Sequence, residues 1–161
     1  MNDHATTLSP ARRLALDILL DVGRRDAFAR DVMNANTLLK NLDERDAGFT
    51  RRLVLGVTAT SGCLDDFLQQ CSDPKTRFNP RVRCALRIAL FELLYLDAPA
   101  NVAVSQGVEL VRSQSRGAAG LANAVLHRAV SNRSSFRDAE GVDPVHARIV
   151  SLARTSGTPV W

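Results

Sequence analysis

Arginine is the residue of this chain best suited to binding chemistry. All but two of its 21 basic residues are arginine, the exceptions being Lys40 and Lys75. The planar guanidinium group donates two parallel hydrogen bonds, a geometry that suits phosphate groups and RNA. A genome whose base composition favours arginine codons would give the same count. Composition alone therefore does not decide between codon usage and phosphate binding.

Two arginines stand where a helix is expected to disfavour them. Arg12 and Arg13 follow Ser9-Pro10, which predicts a helix start with Ser as N-cap. Cations in a first turn oppose the helix dipole by about 0.3–1 kcal/mol each. Asp17 can relieve Arg13, whereas Arg12 has no such partner on the helix. Either the two arginines are a small destabilisation that the protein tolerates at its surface, or they bind a phosphate backbone. On the second interpretation, replacing both by Ala weakens nucleic-acid binding and leaves the helix folded or slightly more stable.

The positive charge of the chain is concentrated in one stretch. The formal net charge is +4, and residues 99–137 account for all of it, with five arginines against Glu109. Three of these arginines, Arg112, Arg116 and Arg128, form a second candidate group for a polyanion. Arg112 and Arg116 would share a helix face if their helix extends that far.

The sequence carries no recognisable catalytic motif. It has no Gly-rich phosphate loop, no Gly-x-Ser-x-Gly and no His-Glu-x-x-His. His127 and His146 have no metal ligand at suitable spacing. The cysteines are odd in number and form no Cys-x-x-Cys, which predicts buried, reduced thiols: Cys63, Cys71 and Cys84. We therefore expect the chain alone to be no enzyme and to hold no metal or cofactor.

Length and composition describe one globular domain. The chain has 161 residues, of which 45% are hydrophobic and 24% charged. No uncharged apolar run approaches the roughly 18 residues of a membrane span, and no signal peptide is recognisable. We expect a cytoplasmic protein that does not bind membranes.

Helical spacing and capping signals predict an all-α bundle that is at least about two-thirds helix. Seven helices are expected: from Ser9-Pro10 to Gly23, 27–39, from Asp43, a short one after Gly62, from Asn79-Pro80, from Pro99, and after Gly117. The fifth is apolar on most sides, so residues 82–96 should be the most buried segment. A polar linker, 131–141, and a weaker helix, 146–153, stopping at Gly157, are expected to follow.

Several segments together resemble the NusB fold. They are ALRIALFELL at 85–94, APANVAVSQGVELV at 98–111, GLANAVLHR at 120–128, residues 46–68 and residues 11–20. The resemblance implies an RNA-binding bundle of about seven helices over residues 10–132, in which the opening arginine-rich helix contributes to RNA binding. Residues 1–9 would then be a frayed N-terminus, and 133–161 a linker and C-terminal helix.

Two kinds of protein carry this fold. One is the free-standing transcription antitermination factor NusB, which binds boxA RNA with a ribosomal protein. The other is the N-terminal domain of RsmB-like (Sun/Fmu) 16S rRNA cytosine-C5 methyltransferases, where a catalytic domain using S-adenosylmethionine follows in cis. The last thirty residues, through Thr158-Pro159-Val160-Trp161, resemble the methyltransferases. We expect that accessory domain, which positions rRNA, with S-adenosylmethionine bound outside this chain. The antitermination factor and a purely structural helical domain are the alternatives.

The chain departs from the family pattern at one place. Both groups usually have Asn-Glu-Ala where this chain has Ser105-Gln106-Gly107. The change removes an acidic side chain and puts Gly inside a helix, which destabilises the helix by about 1 kcal/mol relative to Ala. Asn123 matches a family Asn, and we expect it to be a buried structural amide bonded to neighbouring backbone.

Overall fold

Seven α-helices form the part of the chain that the computed structural model describes, which is residues 7–137, 152 and 154–157. They are α1 (Pro10–Arg25), α2 (Ala29–Ala35), α3 (Thr37–Asn41), α4 (Glu44–Gln70), α5 (Pro80–Tyr95), α6 (Ala100–Gln114) and α7 (Ala119–Ser131). Short 3₁₀ helices at Arg116–Ala118 and Arg133–Arg137 flank α7. No strand occurs among these residues, so the prediction of an all-α fold is confirmed.

The central helix is α5, as its wide apolar stripe predicts. Asn79 caps it by accepting a hydrogen bond from the Arg81 N–H, and Pro80 occupies the first turn. No residue between 82 and 96 is exposed, and α5 contacts α1, α4, α6 and α7. This segment therefore anchors the hydrophobic core.

Helix α4 is longer than the sequence predicts. It begins where expected, with the Asp43 carboxylate accepting from the Asp46 N–H, and then continues through Gly62 for 27 residues. A glycine in a helix costs about 1 kcal/mol, which the buried neighbours Cys63 and Leu64 offset through packing. The predicted break between a third and a fourth helix is wrong.

The first two predicted helices also end differently. Helix α1 passes Gly23 and stops at Arg25, where Asp26 adopts a left-handed conformation with φ 50°. The predicted second helix, 27–39, is divided at Asn36, whose side chain accepts from the Leu39 N–H and starts α3. A side chain that bonds to nearby backbone competes with helix continuation.

The start of the expected linker is part of the packed bundle. Phe136 is 2% exposed, and its ring lies 5.1 Å from Phe67 and 5.7 Å from Tyr95. The buried guanidinium of Arg154 donates to the Phe136 carbonyl at 3.1 Å. The prediction of a polar linker is therefore wrong for residues 131–137. The predicted last helix falls mostly outside the described residues; Leu152 and 154–156 are helical.

The long helices run antiparallel around α5. Arg12 at the start of α1 pairs with Glu92 near the end of α5, while Arg24 at the end of α1 and Arg81 at the start of α5 line the same cleft. Arg81 also reaches Gln114 at the end of α6. The two ends of α1 therefore lie at opposite ends of the bundle. No helix among the described residues combines the length and hydrophobicity needed to cross a membrane.

Candidate nucleic-acid interface

The chain that enters α1 is fastened to α6 by one side chain. Ser9 is the N-cap residue, but its hydroxyl makes no capping bond. Its backbone N–H instead donates to Gln106 Oε1 at 3.0 Å, and Gln106 Nε2 donates to the Thr7 carbonyl at 3.2 Å. Gln106 is buried at 7% exposure. The residue that replaces the family's Glu therefore uses both ends of its amide to hold the opening of α1.

Gln106→Glu should lower the free energy of unfolding by about 1–3 kcal/mol at neutral pH, because the buried carboxylate cannot donate to the Thr7 carbonyl. A protonated Glu regains an O–H donor, so the deficit should be smallest near about pH 4 and should grow as pH rises. Urea denaturation as a function of pH measures this. Gln106→Met, which cannot titrate, is the matched control and should show a deficit that varies little with pH. A pH-independent deficit in Gln106→Glu would argue against this geometry.

Arg12 turns into the bundle. Its Nε and Nη2 donate to the two carboxylate oxygens of Glu92 at 2.8 and 2.6 Å, and its guanidinium lies 5.1 Å from the centre of the Phe49 ring. The Arg12 side chain is 14% exposed and that of Glu92 is 3% exposed. Arg12 has no partner on its own helix, as expected, but it does have one 80 residues away on α5. The Arg12 guanidinium already donates two hydrogen bonds to Glu92, so the geometry does not support a contact between Arg12 and phosphate.

Arg13 turns outward. It is exposed, and no carboxylate of the described residues lies within ion-pair distance of it. Burial raises the pKa of Asp17, and the charge of Arg13 acts in the opposite direction. Of the two opening arginines, Arg13 is the one whose donors are available to a ligand.

The three arginines of the second predicted group lie on three different elements. Arg112 pairs with Glu109 on α6. Arg116 lies beyond α6, which ends at Gln114 because Ser115 is extended with φ −157°, so the expectation of a shared helix face is wrong. Arg128 lies on α7, and its Nη1 donates to the Cys71 carbonyl at the end of α4, at 3.4 Å.

Asn123 is exposed rather than buried, which contradicts the predicted structural role. It lines a mostly apolar groove of about 450 Å³ between α6 and α7, together with Ser105 and His127.

Gly107 on α6 is required by packing. A Cβ there would lie 2.6 Å from the Ala89 Cβ and 2.8 Å from a Leu126 methyl group, so the close approach of helices explains a glycine where the family has Ala.

The three cysteines are buried and free, as predicted. Burial raises the pKa of each thiol, and that of Cys84 to about 11. A buried, protonated thiol is a poor nucleophile and a poor metal ligand. Among the residues that the structure describes, no group of three His, Cys, Asp or Glu side chains could hold a metal ion.

Two residues organise this site without having been predicted to do so, Glu92 and Gln106. Glu92 is the only charged residue between Ile88 and Leu96. A lone acid inside the most apolar helix signals a buried partner, since an unpaired buried charge is very costly. The sequence indicates Gln106 more weakly, only because it stands where the family usually has Glu.

Comparison with known proteins gives consistent matches. A family model described as the NusB family matches residues 9–131. A probable ribosomal RNA small subunit methyltransferase B of Synechocystis is 32% identical over 154 residues, 94% of this chain and 33% of that protein. A transcription antitermination protein NusB of Pseudarthrobacter chlorophenolicus is 36% identical over 108 residues, 65% of this chain and 78% of that protein. A solved structure of T. maritima NusB superposes with a TM-score of 0.66 at 21% identity, over 78% of this chain and 93% of that one.

The methyltransferase relative and the antitermination protein align with different shares of this chain. The chain spans about a third of the length of the methyltransferase relative. An alignment that includes 94% of the chain must continue well past residue 131, where the family match ends. The match to the antitermination protein includes a smaller part of the chain. Residues beyond α7 therefore have counterparts in the methyltransferase relative.

Proposed function

The chain belongs to the NusB family, and on that premise we propose that it is an RNA-binding accessory domain of a 16S rRNA cytosine-C5 methyltransferase. In this proposal it lies N-terminal to a catalytic domain in cis and positions the rRNA. The observation that carries it is the segment after α7. Phe136 packs against Phe67 and accepts a hydrogen bond from Arg154 at its carbonyl, and the alignment with the methyltransferase relative continues past α7.

The opening of α1 is the proposed RNA-contacting element. Gln106 fixes the approach to the helix, the Arg12–Glu92 pair fixes its first turn on α5, and Arg13 is thereby held outward. A helix backbone that is already fixed loses less conformational entropy when a side chain on it binds phosphate. In this proposal Arg13 contacts RNA, whereas Gln106 and the Arg12–Glu92 pair position the helix that carries it; we assign none of them a chemical step.

Methyl transfer would require S-adenosylmethionine, which supplies the methyl group when bound. The chain has no Gly-rich loop and no Pro-Cys dipeptide, and its three thiols are buried. Residues of this chain do not fit that cofactor, so in our proposal the cofactor and the reaction belong to the catalytic domain.

A second candidate is the antitermination factor that binds boxA RNA with a ribosomal protein. The 36% identity to the Pseudarthrobacter protein favours it. Competition between a boxA oligonucleotide and 16S rRNA fragments for binding to the chain separates the two candidates. We expect the rRNA fragments to compete more strongly.

Arg13→Gln tests the RNA interface. Loss of one phosphate contact should reduce the salt slope of single-stranded RNA binding by about 0.7 and weaken binding about fivefold at 0.1 M salt. Fluorescence anisotropy across a salt series measures both. Lys40→Gln, an exposed change of equal charge on α3, is the control and should change affinity less than about twofold. Absence of salt-dependent RNA binding by the unchanged protein would instead support a structural domain.

A further inference from the structure

A second cationic site lies at the end of the bundle opposite Ser9. Three arginines from two helices line a cleft of about 410 Å³ between the end of α1 and the start of α5, namely Arg24, Arg81 and Arg87. Leu19, Leu20 and Cys84 form its apolar part, and among the described residues Asp21 is the one acid that lines it. We call this the cationic cleft.

The acids near the cleft leave one arginine unpaired. Asp21 is shared by Arg24 at 2.6 Å and Arg25 at 3.3 Å. Arg87 is fixed by two hydrogen bonds to Asp65, at 2.8 and 2.5 Å. Arg81 has no carboxylate partner among the described residues, and it reaches only the Gln114 amide oxygen, at 3.5 Å. The lining therefore keeps excess positive charge, with exposed guanidinium groups from Arg24 and Arg81.

Counting charge along the chain conceals this site. Residues 61–98 are formally neutral, because the basic residues between Lys75 and Arg87 are cancelled by acids elsewhere in the segment. Two of those acids, Glu92 and Asp97, lie toward the other end of α5 and pair with Arg12 and Arg133. In space the start of α5 is basic, and the antiparallel packing of α1 adds Arg24 and Arg25 to it.

The cleft and the opening of α1 lie along one face of one helix. Arg13 and Arg24 are eleven residues apart, which is three turns, so they project from the same face about 17 Å apart along the axis. Successive nucleotides of a stacked strand rise about 3.4 Å along the strand axis. About five nucleotides would span the distance between Arg13 and the cleft.

We propose that the cationic cleft binds the phosphodiester backbone of the same single-stranded RNA that contacts Arg13, so that the strand runs along α1. Arg24 and Arg81 would contact phosphate, Arg87 would supply fixed positive charge, and the leucines would pack against ribose. This inference rests on the proposed RNA-binding function and adds a second contact surface to it.

The test is the double variant Arg24→Gln/Arg81→Gln, with a single-stranded RNA of about 20 nucleotides, longer than one compact binding site. Affinity should fall about 25-fold at 0.1 M salt, and the salt slope should decrease by about 1.4. Because both side chains are exposed, the melting temperature should not change. The control is Lys40→Gln/Arg45→Gln, which removes the same charge from exposed positions on α3 and α4 and should weaken binding less than about twofold.

Four outcomes decide the proposal. An equal loss in the control would indicate general electrostatic attraction and would overturn it. Unchanged RNA affinity in the double variant, with Arg13→Gln still impaired, would overturn the cleft and leave the proposed function standing. Inorganic phosphate that stabilises only the unchanged protein, without any effect of the variant on RNA affinity, would reveal a small-anion site and also overturn it. The expected loss of affinity and slope, confined to the double variant, supports it.

Discussion

Arg12→Ala should lower the free energy of unfolding by about 3–5 kcal/mol, the usual cost of leaving one member of a buried ion pair without its partner. Glu92 is 3% exposed and would be left buried with no compensating cation. The variant also loses the packing of the Arg12 guanidinium on Phe49. Since small domains are stable by only about 5–15 kcal/mol, a large part of the stability should disappear. Urea denaturation followed by circular dichroism measures this.

Arg13→Ala is the matched control, one residue away on the same helical turn. It should change stability by less than about 0.5 kcal/mol, as is usual for surface substitutions. Glu92→Ala should be as harmful as Arg12→Ala, and the double variant Arg12→Met/Glu92→Leu should recover much of the loss, because no buried charge remains. If Arg12→Ala were as stable as the unchanged protein but failed to bind RNA, Arg12 would be a ligand contact after all.

This prediction reverses the expectation that local reasoning gives. On α1 alone Arg12 only opposes the helix dipole, so its removal should help. In the folded protein Glu92 offsets that cost from the end of α5. Replacing Arg12 and Arg13 together would therefore mix a stability loss with a binding loss, and single variants are needed to separate them.

Helix starts could be predicted from the sequence, whereas several helix ends could not. Asp43 and Asn79 were identified as N-caps, and both make the expected hydrogen bonds to backbone. A cap signal is local, since the side chain bonds to a residue two or three positions on. The continuation of α4 through Gly62 depends on what its neighbours bury. Packing of that kind depends on residues distant in the chain, so the sequence around Gly62 does not indicate that the helix continues.

The candidate site was predictable only in part for a related reason. The sequence identified the opening of α1 but could not say which arginine turns inward, because Glu92 is distant in the chain. It grouped Arg112, Arg116 and Arg128 by sequence position, although they occupy α6, a 3₁₀ helix and α7. It passed over Arg81 because nearby acids in the chain cancelled its charge. In each case the deciding quantity is distance in space.

Phe136→Ala should lower the free energy of unfolding by about 3–5 kcal/mol, the usual cost of truncating a buried phenylalanine. The ring is 2% exposed and packs edge-on against Phe67 and Tyr95. Its loss leaves a cavity at the point where the segment after α7 joins the bundle. It also removes the ring that lies 5.6 Å from the Arg154 guanidinium, so this segment should become less protected from hydrogen exchange.

Phe28→Ala is the control, because that ring is 81% exposed and its loss should cost less than about 0.5 kcal/mol. Phe136→Leu keeps most of the buried volume and should cost less than about 1.5 kcal/mol. Urea denaturation gives the stabilities, and hydrogen exchange of residues 132–137 gives the local effect. A cost near zero for Phe136→Ala would return the segment to the role of a linker. The proposal would then lose its main structural support for the methyltransferase over the antitermination factor, because Phe136 lies beyond the family match to residues 9–131 and within the longer alignment with the methyltransferase relative.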